Sequence, residues 1–85
     1  MGVHKEVIKL SIKNEIFEQF KQQKAQEGTL LAPKWLYEEL LPTLSKKEMK
    51  ALEEILSEMI HDGIIEHVQG KQPSYRLTKK GEQLL

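Results

Sequence analysis

The stretch "DGIIEHVQGKQPSYRLTKKG", from Asp62 to Gly81, decides which fold this chain can form. Residues 64–68 and 74–77 are two short runs of β-favouring residues, and the loop between them contains Gly70 and Pro73. Runs of this kind, separated by a few residues that include glycine, are typical of a β-hairpin. The sequence therefore predicts a hairpin, which begins almost as soon as the preceding segment ends.

That preceding segment has the pattern of an amphipathic helix with a defined start and stop. "SKKE", from Ser45 to Glu48, is a capping box, in which each of the two side chains can bond the backbone amide of the other residue. Gly63 can end the helix, because glycine adopts the left-handed conformation at little cost. The pattern predicts a helix from Lys46 to His61 with one apolar face: Met49, Leu52, Ile55, Leu56, Met59 and Ile60.

The first third of the chain also favours a helix, from about Lys5 to Glu27, which would end at Gly28. Its apolar residues recur every three to four positions: Ile8, Ile12, Ile16, Phe17 and Phe20. Residues 8–13, "IKLSIK", alternate apolar and polar side chains and are open to a strand interpretation as well. Helix is favoured over strand here because the surrounding Glu, Lys and Gln residues are good helix formers.

Shorter elements complete the pattern. "TLLAP", residues 29–33, predicts a stub of strand, and Pro33 is well placed in the first turn of a helix that must end before Pro42. This second helix would bury Leu36, Leu40 and either Trp35 or Tyr37. Thr78 can cap a last helical turn before the chain end. The expected order is helix, strand stub, helix, turn, helix, hairpin and helical tail.

Length and composition restrict the class of protein. Eighty-five residues suffice for a single domain, residues 1–85, with one modest core. The chain has no cysteine, which excludes disulfides and thiolate metal sites. No apolar run approaches the roughly 18 residues of a membrane span. We therefore expect a soluble cytoplasmic protein that contacts no membrane and needs no cofactor.

The charges cancel in total but are segregated along the chain. Thirteen basic and thirteen acidic residues give a net charge of zero. The predicted third helix carries an acidic block without Lys or Arg: Glu53, Glu54, Glu58 and Asp62. From His67 to Gly81 there is no acidic residue, and four basic ones occur: Lys71, Arg76, Lys79 and Lys80. This local pattern bears on partners more than the total does.

Residues 55–85, "ILSEMIHDGIIEHVQGKQPSYRLTKKGEQLL", resemble the second half of bacterial winged-helix proteins. In those proteins a helix ends in Leu-x-x-Leu-x-x-x-Gly-Leu-Ile and is followed by a hairpin wing and Tyr-x-Leu-Thr-x-x-Gly. The positions that fit this pattern are Leu56, Met59, Gly63, Ile64, Ile65, Tyr75, Leu77, Thr78 and Gly81. The chain looks like the superfamily that contains the multiple-antibiotic-resistance and phenolic-acid-decarboxylase regulators. The resemblance covers residues 33–81 and says little about residues 1–32.

The resemblance implies an α+β, mainly helical fold: a winged helix-turn-helix with three helices, a C-terminal β-hairpin wing and a short helical tail. It also implies a function, as a sequence-specific module that binds double-stranded DNA. Such a module would be a small transcriptional regulator of a bacterium, phage or mobile element. The helix that begins at Lys46 would then be the recognition helix, whose first turns enter the major groove.

Five basic residues are the candidates for DNA contact. The recognition helix offers Lys46, Lys47 and Lys50, and the wing offers Lys71 and Arg76. Together they could neutralise about 3–5 phosphates, enough for salt-dependent binding. A single exposed lysine is more often simply solvated. The joint position of these residues on the two DNA-contacting elements of the fold is what favours the DNA hypothesis.

The acidic block supports a different hypothesis. Glu53, Glu54 and Glu58 would repel phosphates if the helix lay deep in a groove, so DNA contact would be limited to its first two turns. The alternative function is therefore a winged-helix protein–protein interaction module that uses the acidic face of the third helix.

Catalytic and metal sites are not predicted. The sequence has no Gly-rich phosphate loop and no legible Ser-His-Asp arrangement, and the adjacent Glu38 and Glu39 would not face each other on a helix. We expect no enzyme. A metal cluster could be drawn from four residues, but their spacing matches no zinc pattern: His61, Asp62, Glu66 and His67. Two exposed histidines near a helix end are the simpler interpretation.

The two chain ends suggest self-association. Residues 1–28 are longer than the minimal DNA-binding motif requires, and Leu84 and Leu85 are apolar. We predict that the ends pack together and that the chain forms a two-fold homodimer, because dimeric regulators match two half-sites with such symmetry.

Overall fold

A computed structural model of the chain describes residues 2–85, with side chains described from Lys5 onward. The fold is α+β and mainly helical, with one two-stranded antiparallel hairpin among the described residues. The elements are α1 (Gly2–Gln22), a π-helix (Trp35–Leu40), a 3-10 turn (Leu41–Thr43), α2 (Lys46–His61), β1 (Ile65–Val68), β2 (Ser74–Leu77) and α3 (Lys79–Gln83). None of the described helices has both the length and the apolar character needed to cross a membrane.

Helix α1 includes residues 8–13, so the strand alternative for "IKLSIK" is wrong. The predicted end of this helix at Gly28 is also wrong, because α1 ends at Gln22. Lys24 adopts a left-handed conformation with φ of 52°, and its N–H donates to Lys21 O at 3.0 Å. The N–H of Ala25 donates to Phe20 O at 3.0 Å. This pair of bonds is a Schellman motif, and the contact of buried Ala25 with Phe20 closes it.

Gly28 instead lies at the turn that leads into the predicted strand stub. It has a φ of 91°, and its N–H donates to Leu77 O at 2.8 Å. Two further bonds, from Leu77 N to Thr29 O at 2.9 Å and from Leu31 N to Tyr75 O at 2.7 Å, attach the stub to β2. The segment therefore pairs with β2 as a short antiparallel bridge, which confirms the predicted stub of strand.

The second helix begins in α-conformation at Pro33 and then widens into the π-helix. The sequence pattern predicted an ordinary α-helix here. Its predicted interior residues Leu36 and Leu40 are buried, while Trp35 and Tyr37 both pack half-buried against the core. The helix continues past Leu40 as the 3-10 turn, which includes Pro42.

Helix α2 has the predicted bounds and the predicted capping box. Ser45 Oγ accepts from Glu48 N at 3.2 Å, and Ser45 N donates to Glu48 Oε1 at 2.9 Å. Gly63 follows with a φ of 76°, as expected for the residue that stops the helix. The predicted apolar face is narrower than expected, because Met49 and Ile60 are 42% and 38% exposed.

The capping box gives a testable prediction. Ser45→Ala should lower the free energy of unfolding by about 0.5–2 kcal/mol, since the amide of Glu48 loses its acceptor. Hydrogen bonds with Ser45 also hold the pKa of Glu48 below its ordinary value. The contribution of Glu48 is therefore present above its unfolded-state pKa and is lost as pH falls through its lowered folded-state pKa. Urea unfolding at neutral and acidic pH measures both effects, and a Ser45→Ala variant as stable as the parent would contradict them.

The residues after the hairpin hold it against the end of α2. The Thr78 hydroxyl accepts from Gly81 N at 3.0 Å, and its proton can be given to Gly63 O at 2.5 Å or Ile64 O at 2.9 Å. Lys80 Nζ donates to Asp62 O at 2.7 Å, where a cation complements the C-terminal end of α2. Thr78 thus caps α3, as predicted, and fixes the junction between α2 and β1.

The buried apolar side chains form one cluster to which α1, the π-helix, α2 and both strands contribute. Five residues predicted to be in the core are buried: Leu52, Ile55, Leu56, Met59 and Ile65. Leu85 packs against this cluster, whereas Leu84 is 55% exposed. Glu82 Oε1 accepts from Glu27 N at 2.7 Å, so the tail contacts the loop that follows α1.

Candidate nucleic-acid interface

The first two turns of α2 present lysines to solvent. Lys46, Lys47 and Lys50 are all exposed, and none of them has an ion-pair partner within the described part of the chain. Lys46 and Lys50 are four residues apart and lie on one face of the helix, opposite the buried Leu52 and Ile55. The capping box holds this end of the helix in place.

Lys47 lies toward α1 rather than straight outward. It lines a cavity of about 240 Å³ between the two helices, together with Lys5, Ile8, Lys50, Ala51 and Glu54. This cavity places Lys5, a residue that the sequence did not single out, beside two of the predicted lysines. The spacing of Lys5 and Lys9 on one face of a helix is the signal that could have drawn attention to it.

Two glutamates of the acidic block are engaged by α1. Lys5 Nζ lies 2.8 Å from Glu54 Oε1, and Lys9 Nζ forms an ion pair with Glu58. The hydrogen bond from Lys5 lowers the pKa of Glu54, and the hydrogen bond to Glu58 raises the pKa of Lys9. From the first pair to the second, the residue number increases by four in both helices, so α1 and α2 run in the same direction along this face.

The alternative hypothesis of a protein interface needs a free acidic face on α2. Two of the three glutamates on this face are instead engaged by α1. Glu54 is half-buried beside α1, and Glu58 is shared with Lys9. Only Glu53 among the three glutamates is exposed and has no ion pair with a described residue. The paired residues are 49 positions apart in the chain, so no local sequence pattern could show the pairing.

The hairpin runs back along α2 toward the beginning of that helix. Tyr75 and its cross-strand partner His67 contact each other edge to face, with ring centroids 5.8 Å apart. Tyr75 also lines a cavity of about 220 Å³ with residues of α2, of the second helix and of the 3-10 turn that follows it: Leu36, Tyr37, Leu41, Met49, Leu52, Glu53 and Leu56. Tyr75, which follows the loop at 69–73, therefore packs beside the middle of α2 and the second helix.

A hydrogen bond attaches that loop to the second helix. The Tyr37 hydroxyl donates to Pro73 O at 2.5 Å. Burial raises the pKa of Tyr37, and it is also the main reason why the pKa of Tyr75 is raised. Both phenols therefore stay neutral near pH 7, and Tyr37 keeps the proton that it donates.

The two basic residues predicted in the hairpin have different surroundings. Lys71 is exposed on the loop and has no ion pair with any described residue. Arg76 lies on the opposite face of β2 from Tyr75, because side chains alternate along a strand. Its Nη2 is 2.5 Å from Oε2 of Glu66, its cross-strand partner. Arg76 lines a cavity with Ile60, Gly63 and Lys79, near the C-terminal end of α2 and away from the α2 lysines.

Two of the four residues from which a metal cluster could be drawn have other side-chain contacts. Among the side chains that the structure describes, no group of three or more His, Cys, Asp or Glu residues is placed to hold a metal ion. His67 contacts Tyr75, and Glu66 is paired with Arg76.

Comparison of the chain with protein-family models, curated proteins and solved structures gave no match.

Proposed function

We propose that this chain is a winged helix-turn-helix module that binds double-stranded DNA. In this proposal α2 is the recognition helix, and the hairpin of β1 and β2 is the wing. The observation that carries the proposal is the exposed basic start of α2, where Lys46, Lys47 and Lys50 have no ion pair with a described residue. The hairpin that carries Lys71 packs against the same helix through Tyr75. The order of the elements and the strand stub paired to β2 agree with the winged-helix plan.

The charge distribution along α2 supports contact through its first turns. The major groove is about 12 Å wide and admits a helix, whose N-terminal residues reach the base edges. Glu54 and Glu58 lie beyond these turns, and their pairing with Lys5 and Lys9 offsets their repulsion of phosphates. The same pairing engages two of the four residues of the acidic block and leaves Glu53 and Asp62 without an ion pair among the described residues, so we favour DNA over a protein partner on this face.

The candidate residues take distinct roles in this arrangement. Lys46 faces outward from α2 and approaches the groove. Lys47 and Lys50 line the cavity shared with Lys5 and lie at the side of the helix nearer to α1. Lys71 contacts a phosphate from the wing. Arg76 contributes less than Lys71, because binding DNA would require it to leave Glu66.

Two substitutions should weaken DNA binding in different ways. Lys71→Ala should weaken binding to all duplexes similarly and reduce the slope of log K against log salt by about one unit, since one phosphate contact is lost. Lys50→Ala should reduce discrimination between sites, by about 1–3 kcal/mol if it makes a good base contact. Fluorescence anisotropy with a random duplex pool and with a duplex selected from it measures both quantities at several salt concentrations.

Lys79→Ala is the matched control. Lys79 is exposed and belongs to the same acid-free segment, but it lies with Gly63 and Lys80 near the other end of α2. Its loss should leave affinity and salt slope nearly unchanged. Equal effects of the Lys79 and Lys71 substitutions would contradict the proposed orientation.

A further inference from the structure

Helix α1 carries a second apolar row in addition to the one that it buries. Ile12, Ile16 and Phe20 are at most 2% exposed and face the core. On the other side, Val7 and Leu10 are 60% and 58% exposed. A helix of this kind leaves an apolar face without a partner inside the domain.

This row has the spacing of a coiled coil. Val7, Leu10, Asn14 and Phe17 alternate steps of three and four residues, which are the a and d positions of a heptad. Val7, Leu10 and Asn14 are exposed, and Phe17 at the end of the row is partly buried against the core. The buried Ile12 then takes position f, directly opposite this seam. In the sequence, Val3 continues the same spacing by one further step. Lys21 takes the next a position, where its charge ends the apolar row.

We propose that α1 pairs with α1 of a second copy of this chain, in a parallel two-fold coiled coil along this seam. Asn14 occupies an a position, so the two Asn14 side chains would meet at the two-fold axis and could hydrogen-bond to each other. A single polar residue at an a position fixes the register of such a dimer. Ile12 and Ile16 face away from this seam, whereas Phe17 and Phe20 at its edge pack against the core of their own domain. Asn14 and Glu18 share a groove with Trp35 and Glu39 of the second helix.

The charges that flank the seam are complementary in this arrangement. Lys13 is a g position and Glu18 is the e position of the next heptad, so each Lys13 would face Glu18 of the second copy. Lys13 already lies at the edge of the seam, with Nζ 6.0 Å from the centroid of the Phe17 ring. Glu18 is exposed, and its Oε1 lies 3.5 Å from Lys21 Nζ of the same helix. It can exchange this surface ion pair for one with Lys13 of the second copy.

A seam of about two heptads is sufficient here because α1 is already folded. Isolated helices of this length lose much of their association energy to helix formation. The packing of Ile12, Ile16 and Phe20 already holds α1 in helical conformation within each domain. Association therefore does not have to supply the free energy of helix formation. This association does not depend on the proposed DNA binding, and it places the contact of the predicted homodimer on α1, within residues 1–28, without Leu84 and Leu85.

Sedimentation equilibrium over a wide range of concentrations tests the association. The parent chain should shift from monomer to dimer mass, and Leu10→Asp should remain monomeric, because it places a charge in the seam. Glu15→Lys is the control: Glu15 is exposed on α1 but lies off the seam, so association should not change. A parent chain that stays monomeric, or a Leu10→Asp variant that still dimerises, would overturn the proposal.

Charge exchange tests the predicted register. Lys13→Glu and Glu18→Lys should each raise the dissociation constant about 10-fold at low salt, since two symmetric attractions become repulsions. The double variant restores opposite charges and should recover most of the parent affinity. Additive weakening in the double variant would contradict the pairing of Lys13 with Glu18.

Because the chain has no cysteine, a single introduced thiol reports the orientation. Val7→Cys should form a disulfide-linked dimer on mild oxidation, since parallel pairing brings the two a positions together. Antiparallel pairing would place residue 7 near the other end of the seam and prevent this bond. Glu15→Cys is the off-seam control, and equal cross-linking of the two variants would refute a specific seam.

Discussion

Phe20→Ala should lower the free energy of unfolding by about 3–5 kcal/mol, the upper range for truncation of a core side chain. The Phe20 side chain is completely buried in the core cluster, near the end of α1. The loss combines the removed apolar surface with the cavity that remains. Small domains have total stabilities of about 5–15 kcal/mol, so this loss would be a large fraction of the free energy of unfolding. Urea unfolding followed by circular dichroism measures the change.

Phe17→Ala provides the comparison within the same helix. Phe17 has the same side chain but is only partly buried, so its truncation should cost clearly less. Both variants should be measured at low protein concentration, so that self-association through α1 does not contribute. A larger loss for Phe17 than for Phe20 would mean that α1 packs on a different face.

Gly81→Ala should also be strongly destabilising, although it lies within a helix. Alanine at an ordinary helical position is better than glycine by about 1 kcal/mol. At Gly81, however, a Cβ would lie 2.3 Å from Ile64 O and 2.6 Å from Leu77 Cδ1. The carbonyl of Ile64 accepts from Thr78 N and cannot move without disturbing the hairpin junction. We expect a net loss of about 1–3 kcal/mol or more, typical of overpacking.

Gly70→Ala is the matched control for this substitution. The nearest atom to a Cβ at Gly70 is Gln72 O at 3.5 Å, an ordinary contact. Its effect in thermal or urea unfolding should therefore be small. A Gly81→Ala variant as stable as the parent would show that α3 does not pack closely against the start of the hairpin.

The elements that were predictable from the sequence are those fixed by neighbouring residues. Ser45 and Glu48 cap each other across one turn, so the start of α2 follows from four residues. Gly63 stops this helix through its own backbone conformation, and Thr78 caps α3 through a bond to Gly81. In each case the relevant partners lie within about one helical turn.

Features that depend on distant partners were not predictable in the same way. Glycine at position 28 suggested a helix stop, yet its N–H donates to Leu77 O in β2. Lys24 is the residue that takes the left-handed conformation at the end of α1. The widening of the second helix into a π-helix has no signal that we could identify in the sequence.

The candidate site shows the same division. The exposure of Lys46, Lys50 and Lys71 followed from their position on a capped helix and a loop. The pairing of Glu54 with Lys5 did not, since it requires knowledge of how α1 packs on α2. The pairing of Arg76 with Glu66 was accessible in principle, because a hairpin register with Val68 opposite Ser74 places those two residues opposite each other.

Chemical-shift mapping with duplex DNA tests the central proposal most directly. The isotopically labelled chain would be titrated at low salt, and the same titration repeated at high salt. We predict shifts concentrated at residues 45–50 and in the hairpin loop at 69–73, with loss of these shifts at high salt because phosphate contacts are screened. The absence of shifts in both segments at low salt would contradict DNA binding by this surface.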